Sequence, residues 1–180
     1  MAHPLVLVLG GTRSGKSTFA LERIRSLAVG GPVAYLATAR AGDPELDDRI
    51  ERHQAQRPAS WSTIEVGADL PAVIAAATGR PILLDGLTLW LSQLLEEDAP
   101  DAMAVADGPV ADLRAALAAH DGPAIVVSDE IGLGAMPMQP LARAFGDLLG
   151  IAHQRLVDDA DEAWFLVAGR PIRLDPEPIR

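Results

Sequence analysis

The sequence predicts a single α/β domain with a mostly parallel central sheet covered by helices, and three observations carry that prediction. The apolar run Pro4-Leu5-Val6-Leu7-Val8-Leu9 is followed at once by Gly10-Gly11-Thr12-Arg13-Ser14-Gly15-Lys16-Ser17, and then by a stretch of helical character from residue 18. Short apolar runs recur at 33–38, 82–85, 124–128 and 162–169, with helical segments between them. That alternation belongs to strands buried on both faces and joined by helical crossovers. The 180 residues show no internal repeat and no linker to a second unit, so residues 1–180 read as one domain large enough to bury a proper core.

The first unit sets the chemistry. A strand, then G-x-x-x-x-G-K-S, then a helix is the context in which a phosphate-binding loop works. Its glycines let the backbone curl so that several N–H groups point inward, and the helix N-terminus adds partial positive charge. Gly10, Gly11, Thr12, Arg13, Ser14, Gly15, Lys16 and Ser17 are therefore candidate nucleotide ligands. Lys16 would place a point charge on the phosphates, and the Ser17 hydroxyl would bind Mg²⁺. Lys16 is also the only lysine in the chain. A sequence that uses arginine everywhere else keeps an ammonium at the position where a compact charge suits phosphate.

The first helix runs to about Val29 and is stopped by Gly30-Gly31-Pro32. A strand over 33–38 follows, and a βαβ unit of this length predicts parallel pairing of the two strands with a right-handed crossover. Asp43-Pro44-Glu45 then signals a helix start, and the helix over 43–57 is polar on most sides, with Leu46 and Ile50 as its one apolar contact. It fits either a solvated surface helix or an element that closes over bound nucleotide. The segment 61–66 alternates as a half-exposed strand, and a helix over 69–78 follows. The strand 82–85 ends in Asp85, the pattern of a carboxylate that reaches the Mg²⁺ held by Ser17, directly or through water.

An apolar helix covers 86–95, and residues 96–108 read as a surface loop rich in Asp, Ala, Gly and Pro. A helix over 109–120 leads to the strand 124–128, whose carboxyl end carries Asp129-Glu130 and a Gly- and Pro-punctuated loop. In open α/β sheets that end is the ligand rim. A long helix over 140–160, a strand over 162–169 and a short hairpin partner at 170–174 complete the chain. His120 and His153 read as surface or packing residues, since neither has metal-ligand partners at useful spacing.

Composition narrows the function classes. A net charge of −10 leaves no basic stripe for a nucleic-acid partner. Aromatics are 4 %, so the core is aliphatic. The absence of cysteine excludes thiolate chemistry and fits a cytoplasmic setting. No apolar run reaches membrane-spanning length, and no basic segment with an apolar core opens the chain.

Several local patterns line up in one order: the phosphate loop; Tyr35-Leu36-Ala37-Thr38-Ala39; Arg49-Ile50-x-x-His53-x-x-x-Arg57-Pro58-x-x-Trp61; Leu83-Leu84-Asp85-Gly86; Ser128-Asp129-Glu130-Ile131-Gly132-Leu133-Gly134; and Gln154-Arg155-Leu156. From Leu5 to about Leu174 the chain resembles the bifunctional adenosylcobinamide kinase / adenosylcobinamide-phosphate guanylyltransferases of cobalamin biosynthesis. The resemblance implies a P-loop NTPase-like three-layer α/β/α domain whose mostly parallel sheet has an antiparallel edge. It implies phosphorylation of adenosylcobinamide by ATP or GTP. It then implies transfer of GMP from GTP, through a guanylylated histidine, to adenosylcobinamide phosphate, giving adenosyl-GDP-cobinamide. The matching histidine is His53, with Lys16 as its catalytic partner on the phosphates. Thr38, Ala39, Arg40, Gln54, Ala55, Gln56, Arg57, Glu65 and Asp85 would lie near the nucleotide, and Glu65 or Asp85 would meet the guanine or the metal. The implied assembly is a homo-oligomer, a homotrimer in the family, with the apolar helix 87–95 as a candidate contact surface.

Two positions depart from the family pattern. Asp129 and His153 each stand where an Asn is usual. Asp129 adds negative charge to the expected ligand rim, which weakens phosphate affinity unless a cation compensates. The competing expectations are a P-loop small-molecule kinase without a covalent step and a GTP-binding regulatory protein.

Overall fold

The computed structural model describes residues 3–38, 58–96, 98 and 100–174. The expected helix over 43–57 lies outside them, as do Ala39, Arg40, His53, Gln54, Ala55, Gln56 and Arg57. The chain runs β1 (Leu5–Gly10), α1 (Lys16–Leu27), β2 (Ala34–Ala37), β3 (Ser62–Glu65), α2 (Leu70–Ala76), β4 (Ile82–Asp85) and α3 (Leu87–Ser92). It continues through α4 (Ala102–Val105), a π-helical turn (Ala106–Val110), α5 (Ala111–Ala119), β5 (Ala124–Asp129), α6 (Pro140–Asp159), β6 (Glu162–Val167) and β7 (Arg170–Arg173).

The strands form one sheet in the order β3-β2-β4-β5-β1-β6-β7, parallel except for the β6–β7 hairpin at one edge. The side-chain alternation of β1 shows why both faces must be covered. Val6 and Val8 join the cluster under α1, with Ala20, Leu21 and Ile24. Leu7 and Leu9 point the other way, into a larger cluster with Leu70 and Ile74 of α2, Leu87, Trp90 and Leu91 of α3, Leu113 and Leu117 of α5, and Leu148, Leu149 and Leu156 of α6. A strand without a polar face is stable only between two such layers.

Three expectations change. β1 and β2 are parallel but do not pair, because β5 and β4 lie between them. A βαβ crossover fixes hand and direction, while the neighbour is decided by which apolar strands need the centre, and β5 is buried at five of its six positions. The segment 96–108 is partly helical. Asp101 caps α4 by accepting from the Ala104 N–H at 2.9 Å. Gly108-Pro109, a helix breaker by sequence, sits inside the π-turn, where an extra residue per turn accommodates a proline. Lastly, Leu87, Trp90 and Leu91 are fully buried in the chain's own core, so α3 offers little apolar contact surface, with Leu89 at 38 % exposure its main outward side chain.

Candidate nucleotide site

The carboxyl ends of β2, β4, β5 and β1 make one rim, and the phosphate loop sits at its β1 end. Gly10 closes β1 with no room for a side chain: a Cβ there would lie 2.6 Å from Ser14 Oγ and 2.7 Å from the Leu166 carbonyl. The loop turns through the Ser14 N–H to Gly11 carbonyl bond at 3.2 Å. Gly15 precedes α1 in left-handed backbone, φ 96°, where an L side chain is strained. No side chain caps α1, and its first turn carries no acid, so its N–H groups face the loop with their partial positive charge.

The edge hairpin buttresses this loop. The turn between β6 and β7 uses Ala168 and Gly169, both at positive φ, and the Gly169 N–H donates to the Ser14 carbonyl at 2.8 Å. The hairpin is legible in the sequence but this role is not, because nothing local links residue 169 to residue 14.

Lys16 is buried to 7 % exposure. Its ammonium donates to the Gly11 carbonyl at 3.1 Å and pairs with Asp129 Oδ1 at 2.5 Å. Asp129 stands opposite Gly10 in the β1–β5 register, on the strand next to β1. The charge that the sequence places at residue 129 is thus met by the phosphate-loop lysine itself.

Behind Asp129 runs a buried polar chain. The Asp129 N–H donates to Thr88 Oγ1 at 2.7 Å, Thr88 and Ser128 hydroxyls meet at 3.1 Å, and Ser128 Oγ lies 2.8 Å from His153 Nε2. With Thr88 Oγ1 accepting from the backbone, one consistent proton order runs Thr88 to Ser128 to His153 Nε2. The imidazole then carries its hydrogen on Nδ1, which faces Glu130 Oε2 at 3.4 Å without the alignment of a hydrogen bond. Burial pushes the His153 imidazole below its ordinary value, against the opposing pull of the Glu130 and Asp129 carboxylates. His153 is therefore a packing residue, one of the two roles its sequence context suggests, but one wired to the rim.

The other described candidates spread along the sheet. Thr38 is buried, and its hydroxyl donates to the Gly86 carbonyl at 2.7 Å, just past β4. Asp85 ends β4 and accepts from the Tyr35 hydroxyl; β5 separates it from β1. Glu65 ends the outer strand β3, four strand spacings from β1, or about 19 Å at ordinary strand separation. One ion on Ser17 cannot also be held by Glu65. Among the described residues no three His, Cys, Asp or Glu side chains converge on a metal site. A divalent cation at Ser17 would draw most of its ligands from phosphate and water, the usual habit of Mg²⁺.

This fold and loop define a P-loop nucleotide-binding domain of the mostly parallel α/β class. Solved structures agree at the level of fold. The KaiC-like protein PH0186 of Pyrococcus horikoshii superposes with a TM-score of 0.51 at 18 % identity, over 90 % of this chain and 71 % of that one. A second solved structure, an ATPase domain, gives 0.53 at 14 %, over 91 % and 69 %. Within that class the chain belongs to the cobinamide kinase / cobinamide phosphate guanyltransferase family, which it matches over residues 6–174. It is 43 % identical to the bifunctional adenosylcobalamin biosynthesis protein CobP of Pseudomonas aeruginosa, over 96 % of this chain and 98 % of that protein. It is 35 % identical to the corresponding CobU of Salmonella typhimurium, over 94 % and 99 %. Among the described residues no helix is long and apolar enough to cross a membrane.

Proposed function

We propose that this chain phosphorylates adenosylcobinamide and then carries GMP from GTP, through a guanylylated His53, to the adenosylcobinamide phosphate. The observation that supports it is a complete phosphate loop, with Lys16 and Ser17 at the start of α1, in a chain matching the family from residue 6 to residue 174. In the transfer step a neutral His53 nitrogen attacks the α-phosphorus of GTP. The P–N bond forms as the bond from the α-phosphorus to the bridging oxygen breaks, and pyrophosphate leaves. An oxygen of the cobinamide phosphate then displaces the histidine. Splitting one hard displacement into two is the gain from covalent catalysis. Lys16 and the uncapped N-terminus of α1 stabilise the charge that builds on the leaving group.

Ser17 would hold Mg²⁺, and Asp85 would reach it through water. When bound, the ion neutralises phosphate charge and polarises the phosphorus. Glu65, far from the phosphate end, would receive the guanine N–H groups, and Thr38, Ala39, Arg40 and residues 54–57 would line the nucleotide. A homo-oligomeric, cytoplasmic enzyme using small-molecule substrates completes the reading.

The test is incubation with α-labelled GTP. The wild-type chain becomes labelled through an acid-labile, base-stable bond, and His53→Asn abolishes the label while nucleotide still binds. A plain P-loop kinase would phosphorylate its acceptor with no label. A regulatory GTP-binding protein would show neither reaction.

A further inference from the structure

The Lys16–Asp129 pair competes with an arriving nucleotide for the same ammonium. The ammonium that holds Asp129 at 2.5 Å is the same group that a phosphate loop offers to the β- and γ-phosphates. Once Lys16 turns to the phosphates, the Asp129 carboxylate is left beside several like charges. It cannot swing away with its backbone, because its N–H is fixed on Thr88 Oγ1 and the residue before it is anchored through Ser128 to His153. Its neighbour Glu130 is committed elsewhere, to the Gly132 N–H and the His153 ring. Asp129 itself is about a third exposed, at 35 %, and so open to the rim. Two negative groups held this close require a cation between them.

We propose that Asp129 exchanges Lys16 for the divalent cation of the bound nucleotide, joining Ser17 as a protein carboxylate of that ion's shell, directly or through one water. The geometry gives Asp129 this part beside the Asp85 of the sequence pattern. Asp129 is on the strand adjacent to β1, in register with Gly10. Asp85 is one strand further out, with its carboxylate engaged by the Tyr35 hydroxyl. The consequence is a latch. Without the metal, Asp129 competes with the phosphates for the one lysine. With it, the same carboxylate adds to nucleotide binding.

The inference rests on the phosphate loop being a nucleotide site. The experiment separates the two ideas by measuring binding of a fluorescent, non-hydrolysable GTP analogue in EDTA and in MgCl₂. Failure of the wild-type protein to bind in either buffer overturns the nucleotide reading itself. Given binding, Asp129→Asn is expected to bind roughly tenfold tighter than wild type in EDTA, because Lys16 is released, and to lose most of the gain that Mg²⁺ gives wild type. Asp112→Asn, which removes an exposed acid in the first turn of α5, should behave like wild type in both buffers. Asp129→Ser reads the same way as Asp129→Asn and stands in if that variant does not fold, with a melting curve qualifying each protein. An Asp129→Asn protein with the wild-type ratio of affinities in the two buffers, or one that binds more weakly in EDTA, overturns the proposal.

Discussion

His153 carries the clearest single-residue consequence. Burial works against its imidazolium more strongly than Glu130 and Asp129 favour it, so its folded-state value lies below the 6.5 of a free imidazole. Below that pH the unfolded chain binds a proton that the folded chain resists, and stability falls. The contribution is present in full above pH 6.5 and is lost as the pH falls from there through the lower folded value. Urea titrations at pH 7.5, 6.5 and 5.5 should show a declining midpoint in wild type and a flatter series in His153→Leu. That variant also leaves the Ser128 hydroxyl without its ring partner in the core, which costs about 1–3 kcal/mol at pH 7.5. Equal slopes for the two proteins would place the pH dependence elsewhere. The sequence could not show this network. Glu130 and Ser128 lie far from His153 along the chain, so a lone histidine on a helix reads as a surface or packing residue. Lys16, by contrast, was legible at once, because the whole motif that defines its role lies in the single run from Gly10 to Ser17.

At the scale of elements, the strands and helices were readable where apolar period and breakers agreed. β4 was bounded to the residue, and the polar-apolar alternation of β3 appears as half-buried and exposed positions in turn. Breakers alone mislead at Gly108-Pro109, and local connection alone misleads at β1 and β2. Both outcomes are set by tertiary packing that no local window contains. The phosphate loop makes a sharper test, since its glycines are not equivalent. Gly15 has φ 96° and would set a Cβ 3.2 Å from Gly169 Cα, whereas a Cβ on Gly11 meets nothing within 4 Å. Gly15→Ala should therefore lose about 1–2 kcal/mol of stability and weaken nucleotide binding as the loop shifts. Gly11→Ala should melt within about 0.5 kcal/mol of wild type. Denaturant curves for the pair check this directly, and similar losses at both positions would contradict the asymmetry.

The whole molecule sets an acidic body around an anion-binding loop. Its 25 carboxylate residues outnumber 15 basic ones, for a net charge of −10. Several cations are also tied up locally: Arg114 is paired with Asp159 through two bonds at 2.5 and 2.8 Å, Arg155 with Asp107 at 2.7 Å, and Arg23 with Glu162. These pairs are partly exposed, and such pairs contribute at most about 1 kcal/mol each and weaken in salt. The surplus negative charge instead repels across the whole surface, beyond the Debye length at physiological salt but within it at 10 mM. The two effects have opposite signs, and the net surplus of negative charge outweighs a few exposed pairs. Raising NaCl from 10 to 150 mM should thus raise the melting temperature of the nucleotide-free protein, by about 2–4 °C for each kcal/mol of repulsion removed. A melting temperature that falls over the same range would mean that the arginine pairs, rather than the diffuse acidic field, dominate the electrostatics of this fold.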